Sequence, residues 1–351
     1  MDAIRKRVII FTALPIEYQA VQAHLQDLQE VAHPSGSQYE QGVFAGVGYR
    51  WNVLLVQTGM GNPRAAFEVE RAIAYYQPSH VFFTGVAGGI KDVRIGDVVA
   101  ATKVYAIEAG KADEEYRPRP DFGESSYPMV QHANVVARKK QWVNRIKMIN
   151  GGEVDSPPNA LVGPIAAGEK VIASTDSAAY AAIRRYFSDA LAIEMESFGF
   201  FRAVYANRNI QALAIRGISD LIDGKHAADA GGSQERAVSH AAAFTFEVFH
   251  RLATPENIAV LLDDNWWSSL VLVASQLYPQ GPVDQSIWLR SGGDLATINI
   301  QGNGRTTWFS ALQVLRLGGG GKSMTLNRLL NVMLQDFPGN TELVALSASL
   351  A

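Results

Sequence analysis

Apolar and polar positions repeat in a regular order along the first two thirds of the chain. Short, continuous apolar runs end in glycine or in polar residues. They are VIIFTALPIE (8–17), NVLLVQTGMG (52–61), HVFFTGVAGG (80–89), KVIASTD (170–176), ALAIEMES (190–197) and ALAIRGISD (212–220). Between them, helical spacing occurs in PRAAFEVERAIAYY (63–76), SAAYAAIRRYF (177–187) and SQERAVSHAAAFTFEVFHRLA (233–253). Continuous apolar strands alternating with helices predict an α/β fold, with a mixed, mostly parallel central sheet flanked by helices. Ligands of such sheets bind at the carboxyl ends of the strands. The residues closing each run therefore predict one crevice, holding Glu17, the two glycine turns, Asp176, Glu194, Glu196, Arg216, Ser219 and Asp220.

The pattern changes near ATPEN (253–257), where Pro255 is placed to end a long helix. Beyond it, NIAVLLDD, SLVLVASQLY, TWFSALQVLRL and KSMTLNRLLNVMLQDF predict short helices separated by Pro- and Gly-rich turns. Four of the six tryptophans fall there, which gives this tail apolar material for a core of its own. The predicted division is a catalytic domain over 1–253 and a small all-α domain over 254–351. The tail holds one distracting fragment, VLRLGGGGKSM (314–324). A phosphate-binding P-loop needs a glycine where Arg316 stands and a strand before it. TWFSALQVLRL has helical spacing instead, so the fragment is expected to be an inter-helix turn, with Lys322 opening the next helix.

Composition narrows the chemistry. The 351 residues include no cysteine, which excludes disulfides, thiolate nucleophiles and Cys-ligated metals. The histidines show no metal-ligand spacing, so neither a metal nor a cofactor is expected. A net charge of -3 advertises neither nucleic acid nor a basic partner. No apolar run reaches the roughly 18 residues of a membrane span. MDAIRKRVIIFTALPIE opens as a strand, since Pro15 and Glu17 stand where a signal peptide needs small residues. The expected location is the cytoplasm.

ALPIE, TGMG, TGVAGG, AIEMES and ISD, in this order and spacing, resemble the nucleoside phosphorylase and nucleosidase superfamily. The similarity is greatest to its methylthioadenosine/S-adenosylhomocysteine nucleosidase branch and covers about residues 7–252. The resemblance implies cleavage of the N-glycosidic bond of an adenine nucleoside or nucleotide. Asp220 matches the family's acid that protonates the purine N7, a role that partial desolvation favours. Glu196 matches the carboxylate that grips both ribose hydroxyls, and its charge favours an oxocarbenium-like transition state. Met195 would lie against the sugar, and Glu17 matches the base for water. Gly85, Val86, Ala87 and Gly88 would line the ribose end, with Ser219 beside Asp220. Glu194 and Arg216 are expected to pair in support of the site. Any one of these acids alone would more often be a solvated cap; the joint pattern reverses that. Asp223 and His226 are expected at the surface.

The superfamily also contains phosphorylases, which need fixed cations for phosphate. HVFFTG has Phe83 and Thr84 where bacterial phosphorylases of this kind carry an arginine, and this favours water. Arg64 in GMGNPRAA is either a phosphate contact or a solvated first-turn residue. IASTDSAAY offers no aromatic after its acidic turn, so Phe122, Tyr127 or Phe198 is expected to stack on the base. The polar insertion GKADEEYRPRPDFGESSY (110–127) reads as a lid or substrate-tail loop, or as a solvated subunit contact. Arg117 and Arg119 within it are candidates for a 5'-phosphate chain. The tail resembles effector-associated domain 1, which implies an adaptor in bacterial defence or signalling and a protein partner carrying a similar domain. The superfamily resemblance implies a homodimer or larger homo-oligomer. The competing readings are a phosphate-dependent phosphorylase and a non-catalytic nucleoside sensor or adaptor.

Overall fold

The computed structural model describes residues 7–46, 49–112, 116–119, 121–149, 157–207, 209–222, 232–252 and 264–348. Two compact units emerge: Arg7–Phe44 with Asn52–Phe249, and a second dominated by His250–Ala351. The expected boundary at 254, Asp223 and His226 lie outside the described residues.

The first unit begins with β1 (Arg7–Thr12), α1 (Pro15–Gln22), β2 (Gln26–Ala32), β3 (Gln38–Gly46), β4 (Tyr49–Gln57) and α2 (Asn62–Tyr76). There follow β5 (His80–Gly89), β6 (Val98–Ala106), β7 (Gly110–Ala112), β8 (Tyr116–Pro118), β9 (Asp121–Glu124) and α3 (Tyr127–Lys139). The unit ends with β10 (Ala160–Ala167), α4 (Ala178–Tyr186), β11 (Ala192–Glu194), α5 (Ser197–Ala206), β12 (Gln211–Asp220) and α6 (Ser233–Leu252). The main sheet runs β11-β10-β6-β12-β5-β1-β4-β3-β2. Pairs β1–β4, β1–β5, β12–β5, β10–β6 and β10–β11 are parallel, and β12–β6 is antiparallel. This is the mixed, mostly parallel sheet that the apolar runs predict. Val8 to Phe11 are fully buried, which explains a continuous apolar run in place of alternation.

The far half of β5 does something further. Gly88 and Gly89 also pair antiparallel with β11. Strands β11, β10, β6, β12 and β5 therefore close into a ring, and the ends of β5, β11 and β12 meet. Gly85–Gly89, expected as a turn, is thus extended strand. KVIASTD is not a strand either. That place in the sheet belongs to β10, ALVGPIAA, while 170–176 runs irregularly past its end. Asp176 is exposed in the turn leading to α4. The insertion at 110–127 folds into the β7–β8 ribbon and β9, which pairs with β6; it is not an open loop.

The tail contains α7 (Asp264–Leu277), α8 (Ile287–Arg290), α9 (Gly304–Arg316), α10 (Leu326–Asp336) and α11 (Thr341–Ala348). Trp267, Trp288, Trp308 and Tyr278 form its core. Trp308 donates its indole N–H to the Tyr278 carbonyl at 3.1 Å, so the buried ring keeps its polar atom satisfied. The glycine-rich fragment follows a helix, α9, as its spacing predicts. Asp294 N–H donates to the Gly320 carbonyl at 2.7 Å, which folds the fragment back on the turn after α8. Lys322 does not open the next helix; the Thr325 hydroxyl caps α10 by accepting Arg328 N–H at 3.2 Å.

Trp308→Ala should destabilise the tail by about 3–5 kcal/mol, the cost of an emptied core site. Urea unfolding followed by tryptophan fluorescence would show it; an unchanged midpoint would contradict the assigned core.

Candidate active site

The local chain places an acid at the start of α1. Pro15 opens the helix, and Glu17 sits in its first turn, where backbone N–H groups lack helical partners. The Glu17 carboxylate folds back to accept Ala13 N–H at 2.7 Å and Leu14 N–H at 2.9 Å. Its other oxygen accepts Val86 N–H of β5 at 2.9 Å. Three backbone donors thus hold a side chain that is 1% exposed.

A second cluster surrounds Arg216, which points from β12 and is fully buried. One terminal nitrogen pairs with Glu194 and donates to Ser197 Oγ at 2.9 Å. It also lies 3.5 Å from Glu196 Oε2. The guanidinium carbon stands 4.5 Å from the Phe83 ring centroid. Glu194 accepts the N–H groups of Glu196 and Ser197, and so caps α5. Glu196 accepts Gly61 N–H at 3.1 Å. Above the guanidinium, β5 carries Gly85. A methyl group there would collide with both Arg216 and Glu17. The glycine is therefore required by close approach, not by a turn.

Asp220 ends β12 and is 1% exposed. Ser219 Oγ donates to its Oδ2 at 2.9 Å, and Ile222 N–H donates to its Oδ1 at 3.1 Å. These bonds fix the plane of the carboxylate.

One cavity of about 260 Å³ collects these groups. Glu17, Glu194, Met195, Glu196, Ser219 and Asp220 line it, with Val86, Ala87 and Gly88 from β5. Gly85 and Arg216 are outside the lining, and they contact Glu17, Glu194 and Glu196 from behind. Arg64, Arg117 and Arg119 are exposed and do not line the cavity. Neither do Phe122, Tyr127 and Phe198. Apolar lining comes instead from Met60, Val171, Ile172 and Ile193, with Lys170 beside them. The sequence pattern missed Lys170 to Ile172. Their signal was the Gly168–Glu169 turn that ends β10, which lies ahead of the Asp176 turn.

Burial raises the pKa of Glu17 above the ordinary carboxylate range, against the pull of Arg216 and its backbone donors. Glu196 is pushed up to about 7, first by burial, then by Glu194 and Glu17, while Arg216 and Gly61 oppose the rise. A carboxyl raised toward neutrality, as Glu196 is, suits a site for proton transfer or for gripping hydroxyls.

Residues 7–251 match the phosphorylase superfamily. The chain belongs to that superfamily. Residues 260–351 match effector-associated domain 1. A 5'-methylthioadenosine/S-adenosylhomocysteine nucleosidase of Chromohalobacter salexigens is 26% identical over 252 residues, covering 71% of this chain and 99% of the relative. The same-named enzyme of Staphylococcus aureus is 25% identical over 179 residues, 49% of this chain and 70% of the relative. In three dimensions, the Neisseria meningitidis nucleosidase in complex with methylthio-immucillin-A has a TM-score of 0.56 at 22% identity, covering 70% of this chain and all of that one. Futalosine hydrolase of Helicobacter pylori has a TM-score of 0.57 at 18% identity, covering 71% and 99%. These structures share the fold.

Two outcomes follow for the cluster. Gly85→Ala should displace Arg216 or Glu17 and cost at least about 1–3 kcal/mol of stability, as overpacking does; unchanged thermal unfolding would contradict the close approach. Glu196 binds a proton in the native state at pH values where its unfolded form, at 4.5, has lost it. Its contribution to stability is therefore fully present below about pH 4.5 and lost as pH rises through about 7. Glu17 acts in the same direction. Urea unfolding across this range should show a shallower decline for Glu196→Gln than for the wild type.

Proposed function

We propose that the Arg7–Phe249 unit is an N-ribohydrolase that releases adenine from a nucleoside or nucleotide. The observation that carries this reading is the gathering of Glu17, Glu196 and Asp220 around one cavity while the nearby guanidinium is tied to carboxylates. The C1'–N9 bond breaks, and its electron pair goes to the purine. Asp220 delivers a proton to N7, oriented by Ser219 and the Ile222 N–H. Glu196 holds the ribose hydroxyls and faces the positive charge that grows on the sugar. Water adds to C1', and Glu17 takes its proton. The named activity of the relatives supports adenine as the base.

Water is favoured over phosphate by charge. Phe83 lies against the guanidinium, and Thr84 is hydrogen-bonded to Thr245 at 2.9 Å. Neither residue supplies a cation. Arg216 already faces two carboxylates. Arg216 also stands outside the cavity lining, so its charge is not presented to a phosphate dianion there. The effector-associated tail supports a setting in which the enzyme is recruited by a protein partner with a matching domain, in bacterial defence or signalling. The superfamily supports a homodimer or larger homo-oligomer.

Asp220→Asn tests the assignment. It should lower adenine release about 10²-fold or more, the scale of lost general-acid catalysis, while calorimetry still shows nucleoside binding. Full activity in this variant would remove Asp220 from the chemistry.

A further inference from the structure

The reading of Glu196 as the ribose-gripping carboxylate raises the question of what aims it. Its carboxylate is 3.1 Å from Gly61 N–H, and 3.5 Å from Arg216 Nη2. The backbone donor is therefore the closer of the two. We infer that Asn62 is the positioning residue that sets this bond, because it fixes both of its ends.

Asn62 is the first residue of α2 and is buried, 9% exposed. Its neighbour Gly61 adopts φ 97°, which turns the N–H toward Glu196. Its own side chain does not cap α2. Its Oδ1 instead accepts Gly199 N–H of α5 at 2.9 Å. Glu196 is the N-cap of α5, so Gly199 supplies one of the amides that a helix start leaves without a partner. Glu194 serves Ser197 N–H, and Asn62 serves Gly199 N–H from another element. The amide nitrogen of Asn62 donates to the Gly168 carbonyl at 3.3 Å and to Glu169 Oε1 at 2.9 Å. This ties α2 to the end of β10, where the cavity lining at Lys170 to Ile172 begins. Gly199 lets the two helix starts touch, because a side chain there would run into the Asn62 carbonyl.

The position needs an acceptor and a donor on one short planar group, a demand that asparagine meets and aspartate or alanine does not. Without the Asn62 side chain, the link from the start of α2 to Gly199 is lost, and the bond from Gly61 N–H to Glu196 is held only through Glu194 and Arg216 on the α5 side. The loss should then fall on recognition of the ribose hydroxyls, since Glu196 is assigned to them.

The test compares adenosine with 2'-deoxyadenosine, by adenine release and by calorimetric binding, in the full chain. The wild type should prefer the ribonucleoside. Asn62→Ala should reduce that preference about tenfold, through KM more than kcat, with a much smaller change for the deoxynucleoside. Asn62→Asp keeps the acceptor for Gly199 and should retain part of the preference. A folded Asn62→Ala with the wild-type preference would overturn the inference. So would an equal loss on both substrates, which is what a purely structural role produces; if Asn62→Ala does not fold, the Asp variant decides on the same criterion. If the wild type prefers another of the adenine nucleosides or nucleotides, the same comparison is made with that compound and its 2'-deoxy form; a wild type that accepts both forms without preference overturns the assignment of Glu196 and the inference with it.

Discussion

The buried pair between Arg216 and Glu194 is the interaction on which the rest of the site depends. A guanidinium with no exposure is costly to desolvate, and one carboxylate partner seldom offsets that cost. Here the charge is shared. Arg216 meets Glu194, Ser197 and Glu196 along one edge and the Phe83 ring across its face. Glu194 in turn caps the helix that Glu196 begins. Fixing one cation thus fixes two acids and a helix start. Gly85 belongs to the same arrangement, since it leaves the space in which Arg216 and Glu17 lie together.

The carboxylates around that cation do not share its charge equally. Glu17 and Glu196 are both driven toward the protonated state by burial, which the guanidinium only partly opposes. A developing positive charge on a bound sugar would relieve this imbalance. This is the electrostatic ground on which the proposed N-ribohydrolase reading rests.

Much of this was legible in the sequence, for a physical reason. Strands buried on both faces must be apolar throughout, so the acids that end them stand out: Glu194, Glu196 and Asp220 close visible runs, and Glu17 follows a proline that opens a helix. The parts that were not legible depend on tertiary contact. β10 contains Gly163 and Pro164, which argue against a strand, and the sheet accommodates them with a register shift between Gly163 and Ile165. KVIASTD reads as the better strand but has no place in the sheet. Gly85–Gly89 looks like a turn because glycines usually make turns; here they permit close approach and double pairing. The three bonds of Asn62 join segments distant in sequence, so no local pattern announces them. In the tail, the helical spacing before the glycine-rich fragment separates it from a P-loop, whereas the start of α10 is set by Thr325 and not by Lys322.

The most direct measurement is chromatographic detection of adenine after incubating the purified chain with methylthioadenosine, S-adenosylhomocysteine, adenosine, AMP and ATP, each with and without phosphate. Release of adenine and a free ribose product in the absence of phosphate is the expected result, and the preferred substrate identifies the 5' group. Dependence on phosphate with a ribose 1-phosphate product, or no release from any of the five, would contradict a water-using site built around Glu17, Glu196 and Asp220.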